Sequence, residues 1–102
     1  MRSRLDFDEE LRDLIGNSNV YYQPPESIKM KFPCIIYKWT DVDMKRADNF
    51  SYHSTRCYDV TVVSKDPDFY LFDEIIERFP MCRAGRSFTY DNLTHRTYTI
   101  YY

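Results

Sequence analysis

Two stretches of this chain, residues 55–63 and 97–102, are crowded with tyrosine, valine and threonine. Side chains that are β-branched or aromatic favour extended strands. In the first stretch Tyr58, Val60 and Val62 occupy every second position, which is the period of a strand. These patterns predict two long strands, over residues 55–64 and 94–102.

The first helix is predicted over residues 4–15. Ser3 or Asp6 can cap its start, and its acid-rich first turns suit the positive end of the helix dipole. Gly16 is a suitable stop. Asp8 and Arg12 are four residues apart and are expected to pair. The apolar positions at close to helical spacing are Leu5, Leu11, Leu14 and Ile15.

A second helix is predicted to begin with Asp66 as its cap and Pro67 at its first helical position. Pro80 is expected to end it. Glu74 and Arg78 are spaced to pair on its outer face. Its apolar residues are expected to form one buried stripe, made of Leu71, Phe72, Ile75, Ile76 and Phe79.

Shorter segments complete the pattern. Residues 34–39 carry apolar side chains on both faces, which favours an interior position in a sheet. Residues 41–49 are charged and aperiodic, and are predicted to form a loop or the tip of a β-excursion. A turn at Asp91-Asn92-Leu93 is predicted to join the last two strands as a hairpin. The other predicted strands cover residues 19–23 and 81–90, and residues 49–53 could add a short edge strand.

These elements predict one small α+β domain over residues 1–102, in the order α-β-β-β-α-β-β. Helices separated by runs of strands indicate a mostly antiparallel sheet with both helices packed on one face. A chain of 102 residues can bury one core without metal or disulfide staples.

The composition argues against several classes of function. The formal net charge is −2, so there is no basic excess to hold a phosphate backbone. With only two glycines, no glycine-rich phosphate loop can be built. The N-terminal residues are not followed by an apolar run, so neither a signal peptide nor a membrane span is expected. Synthesis and use in the cytoplasm are the expectation.

No metal, cofactor or catalytic site is expected. The odd set of cysteines, Cys34, Cys57 and Cys82, has no close pair and is expected to be reduced and buried. His53 lies four residues before Cys57, a separation of about 13 Å in a strand, which is too far for a shared metal.

The acidic pairs Asp41/Asp43 and Asp66/Asp68 invite a general acid/base interpretation, but a solvated loop and a helix start explain them better. A set of Ser54, His53 and Asp59 lacks the sequence that surrounds a nucleophilic serine. The chain is therefore not expected to be an enzyme.

An RNA-binding sheet is an alternative, because aromatic rings on strands can stack on bases. Tyr98, Tyr101 and Tyr102 could act in this way. The charge balance and the lack of a glycine-containing aromatic motif argue against this alternative.

An ordered set of segments carries more information than composition does. It runs Val-Tyr-Tyr-Gln-Pro-Pro-Glu-Ser at residues 20–27, Phe-Pro-Cys-Ile-Ile-Tyr at 32–37, Ala-Asp-Asn at 47–49, Tyr-Asp-Val-Thr-Val-Val at 58–63, Lys-Asp-Pro-Asp at 65–68, Asp-Asn-Leu-Thr-His at 91–95 and Tyr-Tyr at 101–102. Taken in order, these segments resemble small neck and tail-completion proteins of tailed bacteriophages, in particular tail terminators.

The resemblance implies a structural protein of the virion. Tail terminators form a ring, commonly of six subunits, on the head-proximal end of the tail tube. The ring ends tube polymerisation and joins the tail to the neck proteins, and DNA passes through its channel without specific binding. A head-closure or connector protein of the neck, which is also small and forms rings, is the near alternative.

Closed rings use head-to-tail contacts, so each subunit must present two different patches. An exposed strand edge is one natural patch, because its unpaired backbone groups invite a neighbour. The charged segment over residues 41–49 is a natural second patch, although a merely solvated loop explains it equally well. The contact residues expected there are Asp43, Lys45, Arg46 and Asp48.

Overall fold

The computed structural model describes residues 4–24, 29–40 and 57–102. Its elements follow the order α-β-β-β-α-β-β, which confirms the predicted α+β fold. The loop predicted over residues 41–49 and the strand predicted over residues 49–53 lie outside the described residues. The elements are α1 (Arg4–Ile15), β1 (Val20–Tyr22), β2 (Cys34–Thr40), β3 (Cys57–Ser64), α2 (Leu71–Arg78), β4 (Cys82–Tyr90) and β5 (Leu93–Tyr101).

The five described strands form one sheet in the order β1-β2-β3-β5-β4. β1 runs parallel to β2, and the other three neighbouring pairs are antiparallel. β2 lies between β1 and β3, so its predicted interior position is confirmed. β1 and β4 are the two edges of the sheet.

Helix α1 has the predicted limits. Phe7, Leu11 and Ile15 recur every fourth residue and are buried, whereas Leu5 is 64% exposed. Gly16 follows the helix with φ of 77°, and its N–H donates to the carbonyl of Arg12 at 2.9 Å. A left-handed glycine in this position satisfies a carbonyl at the helix end.

Helix α2 begins at Leu71, so the predicted start at Pro67 is wrong. The Asp66 side chain accepts a hydrogen bond of 2.9 Å from the N–H of Asp68. The backbone carbonyl of Asp66 accepts one of 3.2 Å from the N–H of Phe69. Aspartate and proline favour turns as well as helix starts. Here they form a turn that precedes the helix.

The predicted stripe on α2 is correct except at Ile76. Ile75 is fully buried, whereas Ile76 is 44% exposed. Successive helix positions are rotated by about 100°, so positions 71, 72, 75 and 79 fall within an arc of about 100°, whereas position 76 lies about 40° beyond it. The residues of α2 and its C-cap that do face the sheet are Leu71, Phe72, Ile75 and Phe79.

Both helices pack on the same face of the sheet, as predicted, and share one core with it. The ring of Phe7 lies at its centre. It stacks on Tyr58 with centroids 4.3 Å apart, and it meets Tyr37 and Phe79 edge-on at 5.5 and 5.4 Å. Edge-on and offset contacts are the arrangements that aromatic rings prefer. Core packing thus accounts for part of the high aromatic content.

Polar contacts fix the helices relative to each other. The predicted pair of Asp8 and Arg12 is present on α1. Arg78, however, reaches across to Glu10 and Asp13 of α1, at 2.8 and 3.1 Å, instead of pairing along α2.

Neither helix of the described part is long and apolar enough to cross a membrane.

Candidate interaction surface

Strand β4 is a long edge strand with little cover. It pairs with β5 on one side and with no other described strand. Eight of its nine residues are exposed. Every second backbone N–H and C=O of an edge strand points away from the sheet, so such a strand can pair with another chain. We call the outward side of Cys82–Tyr90 the β4 edge.

The end of the β4–β5 hairpin is aromatic. Phe88 and Tyr90 are 44% and 72% exposed. The ring of Phe88 stacks on His95 of β5 with centroids 4.9 Å apart and an interplanar angle of 8°. Asp91 and Asn92 have φ of 55° and 61°, the left-handed pair of a type I′ turn. The predicted hairpin is therefore confirmed, with Leu93 as the first residue of β5.

A bulge interrupts the β4 edge. The register with β5 shifts between Ala84 and Ser87. The hydroxyl of Thr97 accepts a hydrogen bond of 2.7 Å from the N–H of Arg86. A Cβ on Gly85 would lie 2.6 Å from that hydroxyl oxygen, so the close approach requires glycine. Bulges and charges on an edge disfavour indiscriminate pairing, so a partner of the β4 edge must match its shape and charge.

The charges of the molecule are unevenly distributed. Residues 82–101 contain three arginines and one acidic residue, Asp91. Residues 4–15 and 65–78, which include both helices, contain ten acidic and four basic residues. Arg83 and Arg86 are exposed on the β4 edge, and neither forms an ion pair within the described part of the chain. The hairpin is therefore basic, whereas the helical layer is acidic.

A groove lies in the helical layer. Its described lining residues supply four carboxylates, one guanidinium and one aromatic ring. We call it the acidic groove; its residues are Asp6, Glu9, Glu10, Asp13, Arg78 and Tyr102.

On the sheet face away from the helices, the exposed Lys38 of β2 lies directly opposite Asp59 of β3. Cys34, at the other end of β2, is fully buried, and this burial raises the pKa of its thiol to about 12. A thiol of this kind is protonated and unreactive at neutral pH. Cys57 is buried as predicted, whereas Cys82 is half-buried.

The structure describes only some of the residues that were weighed for chemistry. The described residues contain no group of three His, Cys, Asp or Glu side chains that could hold a metal. Asp59 lies on the sheet, and its suggested partners Ser54 and His53 lie outside the described residues. Asp66 and Asp68 form the turn before α2. Asp41 and Asp43 lie outside the described residues.

The structure also corrects the RNA-stacking alternative at Tyr98. This ring is 3% exposed, and its hydroxyl donates a hydrogen bond of 2.8 Å to the carbonyl of Phe72. Tyr102 packs against Phe7 with centroids 5.1 Å apart. Tyr98 therefore belongs to the core and cannot stack on a base.

The four predicted contact residues, Asp43, Lys45, Arg46 and Asp48, lie outside the described residues. An exposed strand edge was predicted as a patch, but the pattern of the sequence did not say which strand supplies it. The signal was present in β4, where Arg83, Gly85 and Arg86 interrupt a strand pattern with charge and a missing side chain.

Comparisons with models of protein families, with curated proteins and with solved structures found no match to this chain.

Proposed function

We propose that this chain is a structural protein of a tailed-phage virion, of the tail-terminator kind. It forms a ring at the head-proximal end of the tail tube, ends tube polymerisation and joins the tail to the neck. The observation that carries the proposal is the β4 edge, an exposed nine-residue strand at the end of the described sheet that finishes in exposed aromatic rings. The ordered segments that resemble tail terminators supply the specific role.

The two sheet edges support head-to-tail association. β1 and β4 lie on opposite sides of the sheet and differ in length, three residues against nine. A subunit with unlike sides can form heterologous contacts that close into a ring. The function is then mechanical: the ring caps the tube by contact, and no bond is made or broken.

Tube capping provides the direct test. Purified chain is added to polymerising tail-tube protein, and tube lengths are measured by electron microscopy. We expect the chain to bind at one end of each tube and to stop growth there. Arg83→Glu/Arg86→Glu should keep its fold and cap poorly, because both changes lie on the exposed β4 edge.

Tubes that reach the same length with and without the chain, and carry none of it at their ends, would contradict the proposal. The head-closure alternative predicts a different result in the same assay. A connector should bind the neck protein and leave tube length unchanged.

A further inference from the structure

The charges of the β4 edge restrict which partner can pair with it. If two copies paired their β4 edges antiparallel about the strand centre, Arg86 of one copy would face Arg86 of the other. Like charges directly opposite each other destabilise a strand pair. The contact that suits the β4 edge is therefore one between unlike surfaces, with carboxylates on the partner's side.

The chain carries such a surface in its acidic groove. Arg78 is the one cation among the described residues that line the groove, and it is shared by Glu10 and Asp13. The Asp13 side chain remains 74% exposed, and Glu9 is exposed on the same helix. The described lining of the groove therefore holds more carboxylates than cations, and Glu9 and Asp13 are exposed among them.

The two surfaces lie on different parts of one subunit. The groove is lined by α1, by Arg78 of α2 and by Tyr102, and α2 contacts β4. Arg83 and Arg86 form no ion pair with the groove's carboxylates within the described part of one subunit, so both surfaces are available to neighbouring copies.

We propose that the β4 edge of one copy docks against the acidic groove of the next, with Arg83 and Arg86 facing Glu9 and Asp13. The occupant of each surface is thus a second copy of this chain. Repetition of the contact gives the head-to-tail order that a ring needs. This inference rests on the proposed function and specifies how its ring is held together.

Single-stranded nucleic acid is the competing occupant, since exposed arginines and aromatic rings also suit a phosphate backbone and stacked bases. The charge complementarity within the chain favours the second copy. The acidic helical layer would repel a polyanion, whereas it attracts the β4–β5 hairpin of another subunit.

Reciprocal charge reversal tests the contact. One variant, Arg83→Glu/Arg86→Glu, reverses the β4 edge. A second, Glu9→Lys/Asp13→Lys, reverses the groove. The control Lys31→Glu/Lys65→Glu changes the net charge as much as the first variant does, but at exposed lysines outside both surfaces. Self-association is followed by sedimentation velocity up to several hundred micromolar protein, at about 20 mM and about 200 mM salt.

We expect the wild-type chain to self-associate, and more weakly at the higher salt. Each reversed variant alone should associate at least about tenfold more weakly, since like charges then oppose each other. An equal mixture of the two variants should associate again, because each restores the missing charge of the other. Copies alternate in such a mixture, so its closed rings must contain an even number of subunits. A single chain with all four changes should also recover, and the lysine control should behave like the wild type.

Several results would overturn the proposal. A wild-type chain that stays monomeric at every concentration and salt, a mixture that fails to recover, or variants that associate like the wild type would each do so. Binding of a single-stranded oligonucleotide that depends on Arg83 and Arg86, without self-association, would assign the surface to nucleic acid. Each of these outcomes leaves the tube-capping result standing, so failure of this contact and failure of the proposed function are distinguishable.

Discussion

The hydroxyl of Tyr37 donates a hydrogen bond of 2.6 Å to Oδ2 of Asp8 and so ties strand β2 to helix α1. Tyr37 is fully buried, and this burial, reinforced by the bond to Asp8, raises the pKa of its phenol. Arg12 binds the other oxygen of Asp8, and Arg4 donates to the Tyr37 hydroxyl at 3.2 Å. One tyrosine in the core thus reaches a charged network at the surface of α1.

Removal of the Tyr37 hydroxyl is expected to destabilise the fold. A hydrogen bond to a charged group contributes about 1.5–3 kcal/mol, so Tyr37→Phe is expected to lower the free energy of unfolding by about that amount. Urea denaturation at pH 7 measures the change. Tyr70→Phe is the matched control, because its hydroxyl donates to the carbonyl of Ile15 at 3.2 Å from a ring that is 48% exposed. Its loss should cost less than about 1 kcal/mol, and equal losses in the two variants would contradict this account.

Adjacent isoleucines on α2 should respond differently to a charge. Ile75 is fully buried, so Ile75→Asp places a carboxylate in the core and should abolish cooperative unfolding. Ile76 is 44% exposed, and Ile76→Asp should cost no more than about 1 kcal/mol. Thermal unfolding followed by circular dichroism compares the two variants. If Ile76→Asp unfolds the domain as Ile75→Asp does, the orientation of α2 is wrong.

The bulge in β4 depends on a missing side chain. Gly85→Ala would bring its Cβ within 2.6 Å of the Thr97 hydroxyl, and should destabilise the fold by about 1–3 kcal/mol. Thr97→Ala removes that hydroxyl, and with it the bond to the N–H of Arg86. In a double-mutant cycle, Gly85→Ala should therefore cost less in the Thr97→Ala background than alone. Strictly additive effects would show that the two side chains do not meet.

Tyr98 is expected to contribute to a loss of stability in alkali, beside Tyr37 and Cys34, whose pKa values burial also raises. Burial raises the pKa of the Tyr98 phenol from 10.0 to about 12. Between these values the unfolded chain releases a proton that the folded chain retains, so stability that is fully present below pH 10 is lost as the pH rises toward 12. Tyr98→Phe removes this proton.

Urea denaturation between pH 8 and about pH 11.5, with a reductant present, measures the effect across that window. Tyr98→Phe should be less stable than the wild type at pH 8, because it lacks the bond to Phe72, yet lose less stability as the pH rises. Parallel curves for the two proteins would contradict the assignment.

The charged segment over residues 41–49 carries a separate prediction. Lys45→Glu/Arg46→Glu should leave folding intact and impair assembly, because surface charges guide docking more than they stabilise a fold. Virion yield in an infected host measures assembly, and circular dichroism of the purified variant checks folding. Normal virion yield would remove this segment from the interface.

Local patterns in the chain decided much of the fold. The limits of α1 follow from spacing and from Gly16, because a helix and its end are set by residues a few positions apart. The turn at Asp91 and Asn92 was equally legible, since these residues tolerate left-handed backbone angles. The element order and the α+β class followed from such local signals.

Only the tertiary structure decided which strand is an edge and which apolar residue faces out. Among the described strands, β4 is an edge because β5 inserts between it and β3, a pairing between distant segments that no local pattern encodes. Ile76 is exposed because α2 is oriented on the sheet so that Ile75 and Phe72 face the core instead. The acidic groove exists only after the two helices have docked, because its residues come from separate segments of the chain. The bulged and exposed β4 edge exists only after β4 has paired with β5.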